Sequence, residues 1–233
     1  MTERRAWSIA RFPEPGALAY AVLIWLGLFL LSVLFVAGRA IFGTVTGSFW
    51  EHLTQVLRWF AFGTGIWLTG VYLRLHVAHG RTRRDFLRRA SVYLVAFAAV
   101  LAALTTVGYL LELALYRVAG WPHRLTRDYL FTSGGEVGPI LLTYVLVYLA
   151  WAVAGALAAA TFRRLYWYGL VITAPLAVAV VAATEIGVGA RFANVTGSGS
   201  VGLALASGIG GFAVALAATW ALAREMPLRE EAG

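Results

Sequence analysis

Two carboxylates are candidate functional groups because each lies close to the end of a long apolar run. Glu112 and Glu185 are flanked mainly by apolar residues, and a carboxylate within a membrane is costly unless it is paired or hydrated. The nearest candidate partners are Arg117, about one helical turn after Glu112, and Arg191, which follows Glu185 at a similar distance. Each glutamate can therefore form an ion pair at a helix end, or it can line a translocation path, an outer gate or a proton site.

Other kinds of catalytic centre lack the residues that they need. The chain has four histidines, and none lies deep in an apolar run, where a haem site or an intramembrane serine protease would require one. Metal ligands would also have to converge from several elements. Cysteine is absent, which excludes disulfides and thiol chemistry. The sequence therefore predicts no catalytic residue, no metal site and no cofactor in this chain, which is not expected to be an enzyme.

The elements around these residues are typical of an integral membrane protein. Hydrophobic residues make up 61% of the chain and charged residues only 13%, about half the share in soluble proteins. A helix that crosses the hydrocarbon core needs about 20 residues, and continuous apolar runs of that size predict six transmembrane helices. The runs do not alternate as barrel strands do, so we expect an all-α integral membrane protein. The predicted spans cover residues 17–37, 51–73, 90–116, 137–162, 165–184 and 201–222.

The arginines predict how these spans are oriented. All nineteen basic residues are arginine, and thirteen of them fall on the side that holds both termini when the chain crosses six times. Because positive residues accumulate on the cytoplasmic side, both termini are predicted to be cytoplasmic. A composition rich in Ala, Gly and Arg is typical of a GC-rich bacterial genome, which predicts a multi-pass protein of the bacterial cytoplasmic membrane. This bias explains most of the net charge of +8, so nucleic acid is not an expected partner.

Residues 1–233 are predicted to form one transmembrane domain with three polar segments. Residues 1–16 form a cytoplasmic interfacial segment, and residues 117–136 form the longest extracytoplasmic loop. The third segment, residues 80–90 between spans two and three, is strongly basic. Thr82 and Asp85 have the spacing of a helix N-cap there, and Phe86 and Leu87 stand among arginines, as in a short amphipathic helix at the cytoplasmic interface. This pattern fits an ordinary positive-inside loop as well as a docking helix for a cytoplasmic partner.

The stretch Gly80-Arg-Thr-Arg-Arg-Asp-Phe86 resembles the Gly-x-[Ser/Thr]-Arg-Arg-x-Phe element of permease subunits of type II ABC exporters, the ABC-2-type transporter family. The six-span topology and the basic N-terminal segment extend the resemblance over nearly the whole chain. In that family the element is a coupling helix that lies in a cleft of a separately encoded ATPase. The resemblance implies that the equivalent contacts here come from Thr82, Arg83, Arg84, Phe86 and Leu87.

The resemblance also implies the partners and the function. The chain would form the translocation path of an ATP-driven exporter, with an ABC ATPase subunit and a second permease copy or a related permease as partners, surrounded by membrane lipid. ATP and Mg²⁺ would bind to the ATPase, since a chain without lysine has no G-x-x-x-x-G-K-[ST] loop. An oily interior suggests an amphiphilic drug, peptide or lipid as cargo. The alternatives are a stand-alone six-span scaffold or regulatory protein, and a proton-coupled carrier that uses Glu112 or Glu185.

Overall fold

The fold is helical in almost all of the residues that the computed structural model describes, which are 16–126, 129–189, 191–192, 195–196 and 199–224. Two strands of two residues each pair antiparallel between the last two helices. The predicted interfacial segment lies outside the described residues except for Gly16. In chain order the elements are α1 (Gly16–Phe42), α2 (Trp50–Trp67), a π-helical segment (Leu68–Tyr72), α3 (Leu73–Ala78), α4 (Arg83–Ala119), α5 (Val137–Gly187), β1 (Arg191–Phe192), β2 (Val195–Thr196) and α6 (Val201–Arg224).

Four helices in the described part of the chain are long and apolar enough to cross a membrane, which confirms the predicted class of helical membrane protein. They are Ala19–Phe42, Arg83–Ala119, Val137–Tyr166 and Val201–Leu222. The other two predicted spans do not meet the same combination of length and hydropathy. One corresponds to α2, which contains Glu51 and Arg58, and the other is the short apolar helix Thr173–Gly187.

The predicted boundary between spans four and five is a kink rather than a loop. The helix α5 runs from Val137 to Gly187, but Tyr166 has φ 51° and ψ −150°, which interrupts the helical backbone. A positive φ is uncommon outside glycine and marks a break in direction. The two arms of α5, residues 137–165 and 167–187, therefore meet at one residue, which lies two positions after Arg164.

The predicted short amphipathic helix over residues 80–90 is not a separate element. Thr82 is extended, and its Oγ1 accepts a hydrogen bond from the Asp85 amide at 3.2 Å, which confirms the predicted N-cap. The helix then continues to Ala119 because no proline interrupts it and no glycine occurs before Gly108. At 37 residues, α4 is about 55 Å long, so it extends well beyond a hydrocarbon core of about 30 Å.

The first arm of α5 forms the centre of the structure. It packs against α2, α4 and α6, and its Tyr144, Tyr148 and Leu157 are fully buried. Glycines allow the closest approach: a Cβ atom on Gly65 of α2 would overlap the carbonyl oxygen of Ala152. Close contact through small residues is a common way for helices to associate in membranes.

The connections that follow α1 and α4 pack against each other. The Ser48 amide donates a hydrogen bond to the Arg124 carbonyl oxygen at 2.8 Å, and the Tyr116 hydroxyl donates to the Gly47 carbonyl oxygen at 2.9 Å. The two connections therefore lie at the same end of the helix bundle. The turn at Gly80, at the other end of α4, is remote from them because of the length of that helix.

The glycine contact gives a first prediction. Replacing Gly65 with alanine should destabilise the protein by about 1–3 kcal/mol, because the new methyl group pushes α2 away from α5. Gly63 is the matched control: it lies in the same helix, and a Cβ atom there would meet nothing within 4 Å. Thermal unfolding in detergent should show a lower melting temperature for Gly65→Ala than for Gly63→Ala. Equal melting temperatures for the two variants would contradict the helix crossing described here.

Candidate functional site

Glu185 forms a buried ion pair with Arg58, which joins α2 to the second arm of α5. Arg58 Nε lies 3.4 Å from Glu185 Oε1, and the two side chains are 5% and 4% exposed. Trp151 Nε1 donates a hydrogen bond of 3.0 Å to the same carboxylate oxygen. The predicted partner Arg191 has a side chain outside the described part of the chain. Arg58 therefore faces protein although it lies within the second predicted span.

The two terminal nitrogens of the Arg58 guanidinium make hydrogen bonds that orient it. Its Nη1 donates to Gln55 Oε1 at 2.8 Å, and its Nη2 donates to the Tyr129 hydroxyl at 3.2 Å. Buried charges are retained when they are paired and their remaining donors are satisfied. Tyr129 belongs to the connection between α4 and α5, so this connection closes over the ion pair.

Glu112 caps the beginning of α2 from the neighbouring helix α4. Its Oε1 accepts hydrogen bonds from the Phe49 and Trp50 amides, both at 2.9 Å, and its Oε2 accepts one from Ser48 Oγ at 2.6 Å. The first amides of a helix have no partner within the helix, and a carboxylate there also complements the helix dipole. Among the described residues, the predicted partner Arg117 forms no ion pair with Glu112, because the carboxylate faces α2.

His123 completes the environment of Glu112 and was not predicted from the sequence. Its Nε2 lies 3.0 Å from Glu112 Oε2, and its side chain is 6% exposed. It follows Pro122 in the connection between α4 and α5, where no periodic pattern shows which side chains face inwards. The imidazole ring also packs edge-on against Tyr116, with ring centroids 5.2 Å apart.

A second acidic contact ties the same connection to α2. Glu51 Oε2 accepts a hydrogen bond of 2.8 Å from the Thr126 amide. Together, these three charged residues hold His123, Thr126 and Tyr129 against the helices. Buried tyrosines lie next to these groups, and the hydroxyl oxygens of Tyr109 and Tyr144 are 2.7 Å apart. The charged groups are therefore part of one polar layer inside the bundle.

An apolar cavity of about 270 Å³ lies beside the ion pair. Trp59, Phe62 and Trp151 line it on one side, and Ala174, Ala177 and Val178 line it on the other. Trp151 joins the two sites, because its ring lines the cavity while its Nε1 donates to Glu185. Because almost all of its lining is apolar, the cavity is suited to an apolar group. Within the described residues, no group of three or more histidine and acidic side chains is placed to hold a metal ion.

The residues predicted to contact an ATPase do not all reach the surface. Thr82 and Arg84 are exposed and Arg83 is partly exposed, as a docking surface requires. Phe86 is fully buried and Leu87 is 7% exposed, so both side chains pack within this chain. They are covered because α4 starts alongside α3, and its first inward-facing residues already meet the core. Their contact with an ATPase stays a prediction.

Asp85 fastens the start of α4 to α3. Its Oδ2 lies 3.3 Å from His76 Nε2 and 3.0 Å from Arg89 Nε. Burial lowers the pKa of His76 despite the nearby carboxylate, so the imidazole is neutral near pH 7. The His76 ring also packs edge-on against Phe86, with centroids 5.6 Å apart. The basic turn, defined here as residues 79–84, is thus held to both α3 and α4.

Comparison with protein-family models, curated protein sequences and solved structures finds no match for this chain.

The buried ion pair leads to a double-mutant prediction. Arg58→Gln or Glu185→Gln alone should destabilise the protein by about 3–5 kcal/mol, because each leaves the opposite charge buried without a counter-ion. The double variant should be more stable than either single variant, since no uncompensated charge remains. Unfolding in mixed micelles measures the three free energies, with Arg39→Gln at an exposed position as control. Strictly additive losses would show that the two side chains do not interact.

The cap formed by Glu112 leads to a prediction with a matched control. Glu112→Gln should destabilise the protein by about 1–3 kcal/mol, because both carboxylate oxygens accept hydrogen bonds and an amide has only one acceptor oxygen. Glu136 is the control: within the part of the chain that the structure describes, only its Oε1 accepts bonds, from Thr132 and Ser133, so Glu136→Gln can retain them. The measurement is again the free energy of unfolding in mixed micelles. If Glu136→Gln costs as much as Glu112→Gln, the cap is not the stabilising feature.

Proposed function

We propose that this chain is the membrane subunit of an ATP-driven exporter and that a cytoplasmic ATPase acts on the basic turn around Gly80. The observation that carries this proposal is the attachment of that turn to two helices at once. Arg81 and Arg84 are exposed on this turn. Asp85, which directly follows it, contacts His76 of α3 and Arg89 of α4. A force on the exposed surface would therefore move α3 and α4 together.

Six crossings with both termini in the cytoplasm are part of this proposal. The rod formed by α2, the π-helical segment and α3 covers residues 50–78 and is about 43 Å long, which suffices for a crossing. The second arm of α5, residues 167–187, is about 31 Å long. Of the charges in α2 that lower its hydropathy, Arg58 is paired inside the bundle, and Glu51 is buried and accepts a hydrogen bond, so neither faces lipid. Packing between the connections after α1 and α4 agrees with this topology, since both would be extracytoplasmic.

The same contacts suggest how movement would reach the interior. The rod of α2 and α3 carries Arg58, and the second arm of α5 carries Glu185, so movement of the rod would strain their ion pair. The apolar cavity beside this pair suits an amphiphilic cargo. ATP and Mg²⁺ would bind to the ATPase, and a second permease copy or a related permease would complete the path. Thr82, Arg83 and Arg84 remain the proposed contacts with the ATPase.

Charge reversal tests the proposed coupling. In the native host, affinity-purified protein should bring down an ABC ATPase, and Arg83→Glu/Arg84→Glu should abolish both this association and export. The matched control is Arg163→Glu/Arg164→Glu, which reverses two adjacent arginines at the kink of α5 and should retain the association. If the unmutated protein never associates with an ATPase, and charge reversal at Arg83 and Arg84 changes nothing, the stand-alone scaffold becomes the better description.

A proton-coupled carrier is the second candidate, and the buried contact between Glu112 and His123 favours it. A carrier that uses this pair predicts pH-dependent transport that is lost in Glu112→Gln while the protein remains folded. The exporter predicts transport that depends on ATP. Transport into vesicles with and without a pH gradient separates the two functions.

A further inference from the structure

A groove of about 450 Å³ separates the beginning of α4 from the end of α6. Four residues of each helix line it, and within each helix they follow the spacing i, i+3, i+4, i+7, so each forms one stripe two turns long. The lining residues are Arg84, Leu87, Arg88 and Ser91 of α4, and Ala213, Leu216, Ala217 and Trp220 of α6.

The positive charge of this groove is concentrated at one end of the α4 stripe. Arg84 and Arg88 are exposed and one turn apart, which places their Cβ atoms about 6 Å from each other. Among the described residues, neither guanidinium forms a hydrogen bond or an ion pair, whereas the neighbouring Arg89 is paired with Asp85. Two adjacent guanidinium groups are well suited to a phosphate, which can accept several of their hydrogen bonds.

The rest of the groove is apolar. On α6 the small side chains of Ala213 and Ala217 leave the space open, and Leu216 contributes an apolar wall. Each stripe extends over about 10 Å, the length of several methylene groups. The indole of Trp220 stands in the stripe of α6, and tryptophan is enriched where membrane proteins meet the headgroup region.

We infer that this groove binds an anionic phospholipid, with its phosphate against Arg84 and Arg88 and an acyl chain against Ala213, Leu216 and Ala217. Basic pockets between transmembrane helices on the cytoplasmic side bind anionic headgroups in this way. Free phosphate would leave the apolar surface uncovered, and a zwitterionic lipid would bring its own positive charge to the arginines. Assignment to the cytoplasmic leaflet rests on the proposed topology, but binding itself depends on neither the ATPase nor export.

Such a lipid would connect two helices that otherwise have little contact. The helix α6 packs mainly on α5, and only a few of its residues approach α4. The lipid would therefore brace α6 against the beginning of α4, next to the basic turn.

Lipid binding by the purified full-length protein tests this inference. Native mass spectrometry in detergent compares phosphatidylglycerol with phosphatidylcholine, and phosphatidylglycerol should bind at least fivefold more tightly. Arg88→Gln should weaken its binding about fivefold, which corresponds to the loss of one arginine near an anionic lipid. Ala217→Phe should weaken it by filling the groove without changing charge. The control Arg163→Gln removes an arginine that does not line the groove and should leave binding unchanged.

Three results would overturn the inference: equal binding of the two lipids, unchanged phosphatidylglycerol binding in both Arg88→Gln and Ala217→Phe, or displacement of the lipid by inorganic phosphate. Melting temperatures close to that of the unmutated protein show that the variants are folded. Because Arg88 and Ala217 are not proposed ATPase contacts and the assay contains no ATPase, lipid binding can fail while the exporter proposal stands, and the reverse is equally possible.

Discussion

The fold depends on the requirement that charges inside an apolar bundle find partners within the protein. Arg58 and Glu185 meet this requirement together, at 3.4 Å and almost without exposure. A buried pair of this kind contributes little net stability compared with apolar packing, but separating it is costly. It therefore fixes which face of α2 turns towards α5. The same requirement draws Tyr129 over the guanidinium, so that the connection between α4 and α5 becomes part of the core.

Polar contacts join the helices at both ends of the bundle. At one end, Glu112 of α4 caps α2, and at the other, Asp85 of α4 contacts His76 of α3. Because α2 and α3 form one continuous rod, this rod and α4 are fastened to each other at two distant points. In contrast, α6 is held mainly by α5. A partner that pushes on the basic turn would thus act on a rigid pair of helices.

Patterns that depend on neighbouring residues could be read from the sequence. The apolar runs predicted the helices, and Thr82 followed by Asp85 predicted the N-cap that begins α4. That helix continues through residue 90 because arginine is as good a helix former as the apolar residues that follow. The prediction missed this because it placed the start of span three where the apolar run begins. The burial of Phe86 was missed because it depends on the packing of α3 beside α4, which the local sequence does not indicate.

Partners that are distant in the sequence could not be predicted. Arg117 and Arg191 were the predicted partners of Glu112 and Glu185 because each lies one or two helical turns away. The observed partners of Glu112 instead lie 62 to 64 residues before it and 11 residues after it. Arg58 and Glu185 are more than 100 residues apart, so no local pattern in the sequence indicates that they pair. Backbone amides such as that of Trp50 give no signal in a sequence at all.

Photo-crosslinking in intact cells tests the proposed link to an ATPase most directly. A photoreactive amino acid at Arg81, which is exposed on the basic turn, should form an adduct with an ABC ATPase, and the yield should change when cellular ATP is depleted. The same group at Thr132, in the connection between α4 and α5, should form none. Absence of an ATPase adduct from Arg81, or labelling of this position by a membrane-impermeant reagent from outside the cell, would contradict a cytoplasmic coupling role.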